Sequence, residues 1–317
     1  MTIIKGKANI TAEVVCDSVS SVDGKRITTF SLEYPRIVHS EFMTHRMISR
    51  NAASSRAIPF EKMIENLNGI PVRFGAANKG MQDKGEDHTA TVGIGWSPEE
   101  FWDAAKESAV ELAECYYREG YAKQVYNRLL EPFQMMKTIA TATEWQNFFW
   151  LRDDEAADPT IQELARCMKE AMDESTPQVL APGEWHLPFV DRQEFGEYSI
   201  KLDVPCLACE ALSLEDAIII SCARCAAVSF RNVDYNIAKC KEVYDRLING
   251  GKVHGSSLEH CATPMEDDGG GFNYNKEYTQ SWPKGFTHMD KESNMWSGNF
   301  QGFVQYRQLI PNESKKG

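Results

Sequence analysis

The segment from Thr44 to Arg56 carries residue types that bind an anionic ligand. It contains three arginines, one histidine and three serines, and the nineteen positions from Phe42 to Phe60 hold no acidic residue. Arginine offers paired N–H donors that match phosphate oxygens, and the absence of carboxylates removes repulsion. A solvated basic helix face is the plainer interpretation. Because serine and asparagine interleave the arginines and lysine is missing, the segment instead predicts a phosphate or pyrophosphate site.

The elements that would position these side chains begin with a helix. Helical periodicity predicts it over residues 36–50. On such a helix His45 and Ser49 share one face, and Arg46 and Arg50 share the neighbouring face. The Ala-Ala-Ser-Ser-Arg stretch that follows adds hydroxyls, backbone N–H groups and a guanidinium beyond the helix end.

The rest of the chain mixes strand and helix signals. Two strand-like runs, Ile10–Val15 and Arg26–Leu32, flank the turn signal Asp23-Gly24. Residues 70–96 indicate a long inserted loop, and 262–317 an irregular tail. We therefore predict an α+β fold, a mostly antiparallel sheet packed with several helices, as one catalytic domain over 1–317. Further helices are expected at 60–68, 98–119, 121–129, 133–151, 159–173, 214–228 and 234–248.

Composition excludes several classes of protein. The 317 residues contain 34 Lys+Arg and 46 Asp+Glu, a formal net charge of −12. A surface that tracks DNA or RNA needs a net basic face, so a nucleic-acid polymer is not the expected ligand. No apolar run is long enough to span a membrane and no secretory signal is visible, which predicts a cytoplasmic protein.

The nine cysteines leave one alternative open. Cys206 and Cys209 are spaced like one half of a zinc site, and Cys222 and Cys225 like the other. The second pair lies in a run that is typical of a buried helix. We therefore favour buried free thiols and predict no metal site.

The arginine-rich segment resembles the signature of flavin-dependent thymidylate synthases. The signature is a His-Arg pair followed at fixed spacing by Ser, Asn, Ser and Arg. Two positions depart from it, with Thr44 where Arg is usual and Ala52 where Glu is usual. The matching residues are His45, Arg46, Ser49, Asn51, Ser54 and Arg56.

Other segments are similar to blocks of the same family. The resemblance is tight over 35–60 and 125–165, which include Arg128–Pro132 and Thr143–Arg152. Two family-like blocks fall within 220–262, downstream of the signature, although family members usually carry them upstream. This order resembles a rearranged, phage-like subfamily. The two displaced blocks are Ala223–Phe230, with Ala227 where Arg is usual, and Ser256–His260.

The resemblance implies a methyltransferase that converts dUMP to dTMP. Family members use methylenetetrahydrofolate, NADPH and FAD, need no enzyme nucleophile and form homotetramers. It implies that Arg152 is catalytic, lying over the uracil. It places His45, Arg46, Asn147 and His260 at the FAD cofactor, and Ser54, Ser55, Arg56 and Arg128 at the nucleotide.

Two alternatives stay open at this stage. Thr44, Ala52 and Ala227 depart from the family at normally charged positions, and Glu41 stands where Gln is common near the nucleotide. A related flavin-dependent transfer to pyrimidine C5, by hydroxymethylation or on dCMP, would accommodate such changes. A non-catalytic nucleotide-binding homologue is the other alternative. Several apolar residues are expected in the core: Met43, Met47, Trp145, Phe148, Phe149 and Trp150.

Overall fold

A computed structural model describes residues 3–192, 198–201, 209–230, 236–266 and 283–315. Its centre is a six-stranded sheet. The strands are β1 (Ile3–Lys5), β2 (Thr11–Ser20), β3 (Arg26–Pro35), β4 (Ser49–Ala52), β5 (Met135–Ala142) and β6 (Gln178–Leu180). Their order is β1-β2-β3-β5-β4, with β6 beside β2. All pairings are antiparallel except that of β6 with β2.

The β2–β3 hairpin forms where the turn signal predicts it. Gly24 has φ of +71°, which glycine adopts without the steric cost that a side chain imposes. The Ser20 N–H donates to the Lys25 carbonyl at 2.8 Å and closes the turn. Both strands extend beyond the predicted runs, because β3 pairs with β2 on one side and β5 on the other.

Strand β3 separates two cores because its side chains alternate between the faces of the sheet. Phe30 and Leu32 pack in the larger core, with Trp145 and helix residues such as Leu164. Ile27 packs on the opposite face with residues of the C-terminal segment. Each fully buried side chain of this size contributes about 2 kcal/mol to folding.

The helices surround this sheet. Ser97 and Glu100 form the expected capping box at the start of the helix Pro98–Arg118, with both reciprocal hydrogen bonds present. The Asp158 side chain caps the helix Pro159–Asp173 by accepting from the Thr160 N–H. The helices are α1 (His39–Phe42), α2 (Phe60–Ile64), α3 (Pro98–Arg118), α4 (Lys123–Tyr126), α5 (Gln146–Arg152), α6 (Pro159–Asp173), α7 (Leu214–Ala227) and α8 (Ile237–Asn249).

Short elements complete the fold and confirm the α+β class. The 3₁₀ helices are Lys7–Asn9, Arg36–Val38, Asn127–Phe133, Val228–Phe230, Gly255–His260 and Tyr306–Leu309. The remaining strands are β7 (Asp191–Arg192), β8 (Tyr198–Lys201), β9 (Cys209–Leu212), β10 (Ala262–Pro264), β11 (His288–Met289), β12 (Met295–Ser297), β13 (Phe300–Gln301) and β14 (Phe303–Gln305). No helix of the described ranges is long and apolar enough to cross a membrane.

Two predicted helices are wrong. The helix expected over 36–50 ends at Phe42, and Ser49–Ala52 instead forms β4 against β5. The helix expected over 133–151 is a strand, β5, followed by the short α5. Strand pairing overrides local helical periodicity in both places, and the β-branched residues of β5 favour it.

The inserted segment 70–96 contains no helix or named strand, as predicted for a loop. It is fastened to the region around α6 at two points. The Val72 N–H donates to Thr160 Oγ1, and the Asp83 N–H donates to the Ala156 carbonyl, each at 3.1 Å. The loop therefore lies beside the segment that follows α5. The one-domain organisation over 1–317 stays a prediction.

Candidate functional site

Arg50 fixes the turn that carries His45. Its Nη1 donates to the carbonyls of Phe42 at 3.0 Å and His45 at 2.7 Å. Helix α1 ends at Phe42, and the Arg50 cation adds a second donor to carbonyls that already accept from the N–H groups of His45 and Ile48. One of the three arginines of the segment is therefore structural.

His45 and Arg152 are brought together from separate elements. Arg152, at the end of α5, donates its Nε–H to His45 Nε2 at 3.0 Å. The His45 ring also meets the Phe148 ring edge-on, with centroids 4.9 Å apart. Because Nε2 accepts this bond, the neutral imidazole carries its proton on Nδ1. Burial, aided by Arg152 and Arg50, lowers the pKa of His45 to about 4, so the ring is neutral near pH 7.

Glu41 lies on the other side of the Arg152 guanidinium. Its Oε2 is 3.8 Å from Arg152 Nη1. Burial and the nearby Asp158 raise the pKa of Glu41, and Arg152 opposes that shift. The Arg152 side chain is 24% exposed, so part of the guanidinium can still reach a ligand.

The loop after β4 is held at both ends. The carbonyl of Ser54 accepts from the N–H groups of Ala57 and Ile58, which closes the loop on itself. The Ser54 N–H donates to the Ser229 carbonyl at 3.1 Å. Asn127 Nδ2 donates to the carbonyls of Ser55 and Ile58. Sequence reasoning missed Asn127, since nothing in its local pattern indicates that it bonds to a loop about 70 positions upstream.

Three exposed arginines lack a partner, and we call them the arginine edge: Arg46, Arg56 and Arg128. Among the groups that the structure describes, none accepts a hydrogen bond from them or forms an ion pair with them. Every other arginine with a described side chain meets a carboxylate or a carbonyl oxygen. In a chain with a net charge of −12, unpaired guanidinium groups are conspicuous. Their free N–H donors can bind an anion.

Asn147 is exposed on α5. It directly precedes Phe148, whose ring meets His45, and Arg46 directly follows His45. The contact between the two rings therefore brings together the segments that carry Asn147 and Arg46. Both side chains are open to a ligand.

His260 lies inside the protein. It is 0% exposed, and burial lowers its pKa to about 3, with a smaller contribution from His186. Its Nδ1 bonds to Thr141 Oγ1 at 2.8 Å, and its Nε2 has no hydrogen-bond partner in the described structure. Complete burial argues against a direct contact between His260 and a cofactor bound at the surface of this chain.

The Thr141 bond is one of four consecutive bonds that we call the histidine chain. Ser18 Oγ bonds to His186 Nδ1 at 2.9 Å, and His186 Nε2 to Thr29 Oγ1 at 2.8 Å. Thr29 Oγ1 in turn bonds to Thr141 Oγ1 at 2.7 Å, and Thr141 to His260. All five side chains are buried.

The exposed apolar residues near His45 correct part of the core prediction. Met43 and Met47 are 45% and 40% exposed, and Trp150 is 75% exposed. The ends of α1 and α5 bring these side chains to the surface, since the helix predicted to bury the methionines stops at Phe42. The other three aromatic residues of this group, Trp145, Phe148 and Phe149, are buried as predicted.

Two downstream segments pack directly against β4. Asn51 Nδ2 donates to the Cys225 carbonyl, 174 positions along the chain, and Ser54 N–H donates to the Ser229 carbonyl. The 3₁₀ helix Gly255–His260 also packs on β4. The segments expected to be displaced family blocks are therefore spatial neighbours of the signature.

Cys222 and Cys225 are buried free thiols, as favoured from the sequence. Cys206 lies outside the described residues, as does the side chain of Cys209. The zinc alternative therefore stays untested.

A protein-family model described as "Thymidylate synthase complementing protein" matches residues 14–178, just over half of the chain. This chain belongs to the flavin-dependent thymidylate synthase family. The matched range includes the signature, Arg128 and Arg152 and ends before the two downstream segments. Membership of the rearranged subfamily stays a prediction. No curated protein matches the chain.

Family membership implies a flavin, and the surface around His45 suits one. The diphosphate of FAD would need cationic or amide donors, and the side chains of Arg46 and Asn147 have no partner among the residues that the structure describes. His45 offers a neutral ring that the Arg152 bond holds in one tautomer. The residues present therefore fit the cofactor of this thymidylate synthase family.

Proposed function

We propose that this chain is a methyltransferase that converts dUMP to dTMP, with methylenetetrahydrofolate as the carbon donor, NADPH as the reductant and FAD as the cofactor. The observation that carries the proposal is the arginine edge, which lies within the range matched by the family model and whose member Arg46 directly follows His45 of the His45–Arg152 pair. No other arginine with a described side chain is left without a partner.

The phosphate of dUMP would bind at Arg56 and Arg128. The Asn127 side chain donates to the Ser55 carbonyl. Since Arg56 follows Ser55 and Arg128 follows Asn127, the two guanidinium groups extend from adjacent backbone. The Ser54 and Ser55 hydroxyls would add donors to the phosphate and sugar. Fork-like arginine donors suit the oxygens of a phosphate dianion.

Arg152 would act on the pyrimidine base. His45 and Glu41 hold its guanidinium from two sides, which fixes the cation before substrate arrives. A fixed cation stabilises negative charge that develops on the base, and that charge makes C5 more nucleophilic. This action needs no covalent bond from a cysteine.

His45, Arg46 and Asn147 would hold FAD, which when bound supplies the reducing equivalents that turn the transferred carbon into a methyl group. His45 contributes an Nδ1–H donor, since its Nε2 already accepts from Arg152. We do not include His260 in this set, because its side chain is wholly covered.

A homotetramer with shared active sites would account for the apolar surface next to the site. Met43, Met47, Trp150 and Leu151 are all at least 40% exposed. Contact between copies would bury them and would close the open side of the arginine edge.

Glu41 favours one second candidate, action on dCMP. A carboxylate only accepts hydrogen bonds, so it matches the exocyclic amino group of cytosine better than the O4 atom of uracil. The 3.8 Å approach of Glu41 to Arg152 places this acceptor beside the residue that would face the base.

One experiment separates these functions. The purified protein should show the visible absorption of bound flavin, and it should release tritium from C5-labelled dUMP when methylenetetrahydrofolate and NADPH are present. Mass spectrometry of the product distinguishes methylation from hydroxymethylation. Release from dCMP with none from dUMP would overturn the proposal, as would a protein that takes up no flavin.

A further inference from the structure

Asn127 is buried without being part of the apolar core. It is 0% exposed and begins the 3₁₀ helix Asn127–Phe133. Its Nδ2 donates to the carbonyl of Ser55 at 2.8 Å and to that of Ile58 at 3.0 Å. Both partners are acceptors, which fixes the orientation of the amide and uses both of its hydrogens. The Oδ1 atom has no partner in the described structure.

These two bonds tie the loop after β4 to the 3₁₀ helix. In the sequence, Arg56 directly follows Ser55, and Arg128 directly follows Asn127. Both arginines are exposed and without partners among the described side chains. The two bonds of one side chain therefore hold together the backbone segments from which Arg56 and Arg128 extend, and two like charges repel where they lie close together.

The chemistry of Asn127 suits this task. A carboxylate at this position would meet two carbonyl oxygens, and it would also pair with the nearby arginines and occupy them. A cationic side chain would add to their repulsion. A neutral amide donates to both carbonyls and leaves the guanidinium groups free.

The loop has other supports that keep it folded. The Ser54 carbonyl accepts from Ala57 and Ile58, and the Ser54 N–H donates to Ser229. Exposed Lys123 lies 3.4 Å from the Ala57 carbonyl. Of these bonds, those of Ser54 hold the loop to itself and to the Ser229 segment, so they do not set its distance from Arg128.

We propose that Asn127 is a positioning residue that holds Arg56 and Arg128 together as one binding site for the nucleotide phosphate. This inference rests on the proposed function, because it takes the nucleotide phosphate as the ligand of the two arginines. It assigns Asn127 no contact with substrate.

The test compares binding of dUMP with binding of deoxyuridine, which lacks the phosphate. Isothermal titration gives both dissociation constants for the wild type, Asn127→Ala and Asn127→Leu. Asn66→Ala is the matched control, because the Asn66 amide donates to a single carbonyl, that of Lys62, at 3.3 Å. Circular dichroism and thermal unfolding show whether each variant is folded.

We expect both Asn127 variants to bind dUMP about tenfold more weakly, since freeing the two carbonyls lets the loop move. Deoxyuridine binding should change by less than about twofold, and Asn66→Ala should resemble the wild type. A purely structural role would weaken both ligands alike. Asn127→Leu also excludes water from the gap, so it should bind dUMP no better than Asn127→Ala.

Every other outcome would overturn either the positioning role or the proposed phosphate site. Equal losses for dUMP and deoxyuridine, or no loss for either, would overturn the positioning role. Failure of both variants to fold would also overturn it, because the amide would then serve the fold. A wild-type protein that does not distinguish dUMP from deoxyuridine would instead refute the proposed phosphate site.

Discussion

The arginine edge and the histidine chain differ in what satisfies their polar groups. At the arginine edge, Arg46, Arg56 and Arg128 meet no partner within the described chain. Along the histidine chain, consecutive hydrogen bonds of 2.7 to 2.9 Å join Ser18 to His260 through the sheet. One region leaves strong donors open to solvent, and the other pairs nearly all of its polar atoms internally.

The difference separates two kinds of evidence for function. A buried histidine with bonded neighbours has a structural reason to be there, which its sequence motif does not show. An exposed arginine without a carboxylate, in an acidic protein, has no structural reason to be unpaired. We therefore expect substitutions at the arginine edge to change ligand binding, and substitutions in the histidine chain to change stability.

The largest effect is expected for Arg152. Its side chain is less exposed than those of the arginine edge and more exposed than those of the histidine chain. Arg152→Ala should lower turnover about 1,000-fold, because a fixed cation at the base is lost. The flavin absorption of the purified variant should remain, since the proposed flavin ligands are other residues. Steady-state tritium release measures the first effect and the visible spectrum measures the second.

Arg118→Ala is the control for that substitution, because Arg118 pairs with Glu114 on the exposed face of α3. Its turnover should match the wild type. The pKa of His45 should also rise in Arg152→Ala, because one of the cations that lower it is removed. Near-normal turnover of Arg152→Ala would refute its catalytic role.

The next effect concerns the arginine edge itself. The double variant Arg56→Gln/Arg128→Gln should bind dUMP about 300-fold more weakly, because two charge-assisted bonds to phosphate are lost. Its free energy of unfolding should change by less than about 0.5 kcal/mol, since neither guanidinium has a partner in the described part of the chain. Calorimetric titration and urea unfolding measure the two quantities.

Arg26→Gln removes an arginine that is paired within the protein. Arg26 donates to both carboxylate oxygens of Asp17, a side chain that is 4% exposed. Its loss should destabilise the protein by about 3 kcal/mol and leave dUMP affinity unchanged. If Arg26→Gln weakened dUMP binding as much as the double variant, the contrast between paired and unpaired arginines would fail.

The charge pattern around the proposed site can be predicted from the sequence, whereas its local structure cannot. The absence of acidic residues around Arg46 and Arg56 is a linear property, so it is visible without coordinates. The helix expected there is wrong beyond Phe42, because β4 is defined by its partner β5, more than 80 positions away. Residue periodicity within one segment cannot report that pairing.

Burial explains the other differences. His260 has the sequence context of a ligand-binding histidine, yet the fold packs it behind Thr141. Met47 has the character of a core residue, yet it is exposed. No sequence pattern points to Asn127, because a buried amide that bonds to a distant loop leaves no local signal. Each case depends on contacts between segments remote in sequence.

The pH dependence of the unfolding free energy tests the histidine chain. Burial lowers the pKa of both His186 and His260 to about 3. The unfolded chain takes up protons on these residues below about pH 6.5, and the folded chain does not. Stability is therefore full above pH 6.5 and falls as the pH is lowered. Between pH 6.5 and 5 the loss should be about 3 kcal/mol for the two residues together.

Urea unfolding at several pH values measures this loss. His186→Gln should flatten the dependence by about one proton, because one of the two groups is removed. His88→Gln should leave it unchanged, since His88 is exposed on the inserted loop. Equal stability of the wild type at pH 5 and pH 7 would show that these histidines are not held neutral.

The smallest effect is expected for Thr141, the link between β5 and His260. Thr141→Val removes its bonds to Thr29 and His260 and leaves the His260 Nδ1 atom unpaired in the interior. The cost should be about 2 kcal/mol of unfolding free energy, with dUMP affinity changed by less than about twofold.

A double-mutant cycle decides whether Thr29 and Thr141 act as one chain. If they do, the losses of unfolding free energy in Thr29→Val and Thr141→Val should be non-additive, because either substitution alone already removes the bond between the two hydroxyls. Additive losses would mean that each threonine serves only its own histidine. A loss of dUMP affinity in either variant would instead link the interior to the arginine edge, through the pairing of Thr141 with Ser49 in β4.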